Sequence, residues 1–65
     1  MSLGRVKIFK NDKGYGFIDC SGTDYFFHLS QCGGYVPKVN DEVEFIPVET
    51  EKGWAAHEVS KVEDG

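Results

Sequence analysis

"KGYGFID", residues 13–19, sets Tyr15 and Phe17 on one side of an extended segment and puts Gly14, Gly16 and Ile18 on the other. If the Ile18 side is the core, the glycines leave room for a tightly coiled barrel strand. A bulky inward side chain there would collide with the opposite wall. Both rings then face outward. Downstream, "YFFHLS" (25–30) repeats the logic, with Phe26 and His28 on one face and Tyr25, Phe27 and Leu29 on the other. His28 is the side chain least suited to a small apolar core. Its face is therefore the outer one, and Tyr15, Phe17, Phe26 and His28 form a cluster of four flat rings on neighbouring strands.

The rest of the chain fits this frame. Turn signals recur at short intervals: "NDKG" at 11–14, "CSGTD" at 20–24, "CGGYVPK" at 32–38, "VND" at 39–41 and "ETEKG" at 49–53. Between them lie "RVKIF", "YGFID", "YFFHL", "EVEFIPV" and "AAHEVSKV", five short runs rich in β-forming residues. That spacing predicts a small all-β barrel or sandwich, and no segment has the period of a long helix. In "EVEFIPV", Val43 and Phe45 share a buried face, Glu42 and Glu44 take the wet one, and Pro47 marks an edge or bulge. In the last run Val59 and Val62 are expected inside, with Glu58, Lys61 and Glu63 outside. The 65 residues read as one domain, close to the smallest size at which a core holds a fold alone.

Charge qualifies the functional reading. The formal net charge is −4, whereas nucleic-acid binders are commonly basic. The imbalance is uneven, however. Residues 1–30 carry four bases against three acids, and residues 31–65 carry three bases against eight acids. The ring-bearing half is the less acidic one, and Lys7, Lys10 and Lys13 stand near its rings as phosphate contacts. A nucleobase stacked on an aromatic side chain contributes about 1–3 kcal/mol, so four rings can supply affinity without a strong positive field. The alternative is that the same rings form a second small core or a dimer interface. Cys20 and Cys32 are too sparse for a secreted disulfide framework, which points to reduced thiols and a cytoplasmic protein. With His28 and His57 they match no zinc-site spacing, so neither metal nor cofactor is expected. There is no apolar run long enough to span a membrane and no paired acid–base or nucleophile motif, so an enzyme with a small-molecule substrate is not expected. His57 reads as a solvent-facing strand residue, and the acids at 41–51 as a solvated face.

"KGYGFI" resembles the first ribonucleoprotein motif of the cold-shock domain family, and "YFFHLS" resembles the second. "GRVKIF" is similar to that family's first strand and "KGWAAHEV" (52–59) to its last, so the resemblance runs from Gly4 to about Val62. It implies a five-stranded antiparallel β-barrel of the OB-fold type. It also implies binding of single-stranded RNA or DNA by a monomer, as an RNA chaperone or regulator of expression. Residue by residue, it assigns nucleic-acid contacts to Lys7, Lys13, Tyr15, Phe17, Phe26 and His28. To these it adds Asp24 as a candidate base-edge acceptor, Tyr35 in the loop and Lys52 before the last strand. Three positions depart from the family pattern. Ile8 replaces the tryptophan of Lys-Trp-Phe, Leu29 replaces an aromatic, and Trp54 stands where proline is common. Trp54 is expected to replace part of the lost ring surface. An RNA-recognition motif of the ferredoxin-like type shares the "KGYGF" logic but needs two helices, for which there is no periodicity. A protein-interaction or self-association module using the same ring face remains the competing function.

Overall fold

The computed structural model describes residues 1–62, so the expectation for Glu63 lies outside the described residues. The chain forms five strands: β1 (Ser2–Lys10), β2 (Tyr15–Cys20), β3 (Thr23–His28), β4 (Glu42–Thr50) and β5 (Gly53–Lys61). A 3₁₀ turn, Leu29–Cys32, follows β3. The strands close a barrel in the order β1-β2-β3-β5-β4. Neighbours pair antiparallel except at the β3–β5 seam, which is parallel and registers Phe26 against Ala55. The expected all-β barrel is thus observed. The third run stops one residue early, because the His28 side chain caps the 3₁₀ turn and Leu29 leaves the strand.

The core follows the alternation. Val6, Ile18, Phe27, Val43, Phe45, Ala56 and Val59 are buried. Fully burying a valine, isoleucine or phenylalanine side chain contributes about 1.5–3 kcal/mol. Val62 is only half-buried, beyond the end of β5. Gly16 is buried between Phe17 and Tyr15, and a Cβ there would overlap the Ile8 carbonyl oxygen and lie 2.9 Å from the Phe27 ring. The space Gly16 leaves is therefore taken by the adjoining strands, not by the opposite wall. Gly14 is not a strand residue. It closes the β1–β2 turn at φ 72, a left-handed conformation that favours glycine.

Two β-bulges shape the outer surface. On β1 the register shifts between Val6 and Ile8, leaving Lys7 as the extra residue. Plain alternation would send Ile8 inward with Val6. The bulge instead turns Lys7 and Ile8 both outward and Phe9 inward, where its ring stacks on Phe27 at 6.0 Å. On β5 the residues Glu58 and Val59 oppose the single residue Phe45, and Glu58 sits at φ 51. That bulge lets His57 and Glu58 both face solvent while Ala56 and Val59 stay buried.

Candidate nucleic-acid interface

The pairing of β1, β2 and β3 generates two parallel rows on the outer face. Ile8 pairs with Phe17 and Phe17 with Phe26; beside them, Lys10 pairs with Tyr15 and Tyr15 with His28. The rings touch one another. Tyr15 and Phe26 have centroids 5.7 Å apart, and Phe17 meets Phe26 edge to face at 5.8 Å. Tyr15 and Phe17 pack at 6.4 Å, also edge to face. Tyr15 and Phe17 are half-buried by this mutual packing, whereas Phe26 stays 40% exposed. Such contacts hold the rings in place before any ligand arrives, which reduces the ordering entropy that binding would cost.

His28 is fixed by the turn it caps. Its Nδ1 accepts from the Ser30 N–H at 3.0 Å. The neutral ring therefore carries its proton on Nε2, which has no protein partner among the described residues and is free to donate. Lys10 and Lys13 are exposed around the β1–β2 turn, where the Lys13 and Gly14 N–H groups both donate to the Lys10 carbonyl. Lys7 is engaged instead with Asp24, Nζ to carboxylate at 3.3 Å, with both side chains about half exposed. Asp24 lies directly across from Asp19, so Lys7 offsets a like-charge pair. An exposed ion pair contributes only about 0–1 kcal/mol, and a ligand phosphate can displace Asp24 from it.

The remaining family-assigned positions divide. Tyr35 does not join the four rings. It is half-buried against the core, and its hydroxyl donates to Asp41 Oδ2, which also accepts from the Lys38 N–H at 3.1 Å. Burial, reinforced by the Asp41 bond, pushes the Tyr35 hydroxyl well above its ordinary pKa. The same bond from Tyr35 holds the Asp41 carboxyl below its ordinary value. Asp41 is thus a loop-fixing acceptor and not part of a solvated acidic face. Leu29 is half-buried and packs on the core from the 3₁₀ turn. Trp54 is 44% exposed and packs on Tyr25 with centroids 5.8 Å apart.

A groove of about 560 Å³ continues the ring rows across the β3–β5 seam. Phe17, Phe26 and His28 form one side, and Trp54, Lys52 and His57 form the other. Gln31 and Thr50 also line it, and no motif or spacing singles them out. The signal that could have found it is "WAAH" (54–57), in which Ala55 and Ala56 are small enough to leave a floor between two large flanking side chains.

The sequence model described as the 'Cold-shock' DNA-binding domain matches residues 2–62. The cold shock-like protein CspLB of Listeria monocytogenes is 42% identical over 66 residues, covering 95% of this chain and 100% of that protein. The cold shock protein CspB of Bacillus caldolyticus is 39% identical over 66 residues, with the same coverage of both chains. Among solved structures, the chain titled drosophila Unr CSD456 matches with a TM-score of 0.78 at 26% identity. That match covers 95% of this chain and 26% of the Unr chain. The closed five-stranded barrel, both ribonucleoprotein-like motifs in order and these matches lead to one assignment: the chain belongs to the cold-shock domain family.

Proposed function

We propose that the protein binds single-stranded RNA or DNA by stacking unpaired bases on the outer face of β2 and β3, in the manner of a cold-shock RNA chaperone or regulator of transcription or translation. The observation that carries this reading is the pair of rows, Ile8–Phe17–Phe26 and Lys10–Tyr15–His28, on one face of three adjoining strands. Apolar and aromatic platforms alternate there with a cation and a free imidazole donor, the combination a flexible anionic strand of flat bases requires. The cold-shock names of its relatives support the same reading. The substrate is a polymer and the chain acts without a cofactor, as a monomer in the cytoplasm.

The test is a titration of Trp54 fluorescence and backbone amide shifts with short oligo-dT and oligo-U. Saturable responses clustered on β1–β3 are expected, and silence up to high micromolar ligand would refute the proposal. The formal charge of −4 and the engagement of Lys7 by Asp24 favour a second reading, self-association through the same rings. Sedimentation of a dimer that Phe17→Ala dissociates, with no response to oligonucleotide, would select it.

A further inference from the structure

We infer that the outer face formed by the start of β1, the first half of β4 and the end of β5 is a docking surface for a basic protein segment carrying spaced apolar side chains. It is a different surface from the ring face and does not depend on that reading. The starting point is a group of apolar side chains in outward positions. Of the large apolar side chains left exposed, Ile8, Phe26 and Trp54 belong to the ring face and its groove, whereas Met1, Leu3 and Ile46 do not. Leu3 is 56% exposed and pairs across the β1–β4 ladder with Glu44. Ile46 is 38% exposed and lies two residues further along the same side of β4. Met1, one step beyond the Ser2–Phe45 rung, comes level with Ile46. Diagonal neighbours on one face of a sheet are close enough for such side chains to meet, so the three make one patch. Val43 and Phe45 are buried, which leaves Glu42, Glu44 and Ile46 as the outward positions of β4. Solvation alone favours a polar residue at the last of these. Adjoining apolar side chains left in water mark an interaction surface, as isolated ones do not.

Charge names the occupant. Glu44 stands between Leu3 and Ser60 in one row across β1, β4 and β5. Glu58 is turned outward by the β5 bulge beside His57, the residue paired with Ile46. Neither carboxylate has an ion-pair partner among the described residues. The neighbouring cations are directed elsewhere: Arg5 faces Glu42 in register, but its guanidinium donates to the Asn40 carbonyl at 2.8 Å, and Lys61 acts on Asp41. Residues 31–65 carry eight acids against three bases, so the field on this side attracts a cationic chain and repels nucleic acid. A second copy, with its own net charge of −4, is repelled as well. β1, β4 and β5 each have a strand neighbour on both sides, so the partner docks through side chains and not by extending the sheet. Its apolar groups cover Leu3 and Ile46, and its lysines or arginines reach Glu44 and Glu58.

The experiment titrates the isotope-labelled protein with a short lysine-rich peptide carrying spaced leucines, and with the same peptide bearing serine in place of leucine. Shifts should saturate and concentrate on the amides of Leu3, Glu44, Ile46 and Ser60, leaving Tyr15 and Phe17 still. Leu3→Ser and Ile46→Thr alter exposed side chains, and a thermal melt verifies that both variants fold. Each should weaken the leucine peptide roughly four-fold, the scale of one methylene group withdrawn from water. Glu44→Gln should weaken it too and reduce its sensitivity to salt. Equal binding of the serine peptide would show attraction by charge alone and overturn the docking surface. Unchanged affinity in both apolar variants, or no saturable response up to millimolar peptide, would do the same. A dimer of the free protein in sedimentation, dissociated by Leu3→Ser, would assign the face to a second copy and overturn the basic partner.

Discussion

Phe26 and Phe27 are adjacent in sequence and opposite in consequence. Phe27 is 1% exposed and stacked on Phe9, so Phe27→Ala should cost about 3–5 kcal/mol and leave a domain of this size largely unfolded by thermal or urea melts. Phe17→Ala empties no core site; it should melt near wild type while losing about 1–3 kcal/mol of oligonucleotide affinity by titration. This division was legible in the sequence, because period-two alternation and one unsuitable core residue, His28, settle which face is wet. Tyr35 was not legible. Nothing in "CGGYVPK" tells that its hydroxyl meets Asp41 across the loop. That bond links stability to pH at both ends. Asp41 titrates lower folded than unfolded, so its contribution is present above the unfolded carboxyl pKa and is lost as pH falls through the folded one. Tyr35 titrates higher folded, so its contribution is present below the unfolded phenol pKa and is lost as pH rises beyond it. Tyr35→Phe should flatten both the acid and the alkaline arm of a Tm-against-pH curve, whereas loss of a purely hydrophobic contact would lower the curve uniformly.

At the scale of elements, the two bulges decide what the strands present. The β1 bulge is why Ile8 lies beside Phe17 and Phe9 lies in the core; alternation alone assigns them the reverse way, and only the family resemblance placed Ile8 outside. A bulge adds one residue without changing composition, which makes it nearly invisible in a single sequence. The β5 bulge carries a cost that can be measured. Glu58 holds φ 51, a conformation that costs a side-chain-bearing residue of order 1–3 kcal/mol and glycine far less. Glu58→Gly should therefore raise Tm, and Glu58→Val should lower it, as a pair of differential scanning calorimetry traces would record. A lowered Tm in Glu58→Gly would mean that the carboxylate contributes something the backbone strain does not outweigh.

For the molecule as a whole, five turn-bounded runs were enough to indicate a small β-structure, but not whether it closed. Closure depends on which strands meet, and no local pattern encodes the β3–β5 contact. Electrostatics at this scale bears on the ligand. With Lys7 engaged by Asp24, the cations near the ring face and groove that have no ion-pair partner among the described residues are Lys10, Lys13 and Lys52. Three phosphate contacts at about −0.7 per contact for a single strand give a slope of log affinity on log salt near −2. Titrations across salt concentrations check this, and a slope steeper than about −4 would mean that cations beyond these three take part. The seam itself carries a final consequence. Phe26–Ala55 is the one registered pair joining β3 to β5 among the described residues, so the barrel is latched there by its weakest rung. Amides around it should exchange with deuterium sooner than those of the β1–β2 ladder, because opening there breaks the fewest bonds. A strand lying across Phe26 and Trp54 would hold that latch shut and slow the exchange, making the ligand a clasp for the fold that binds it.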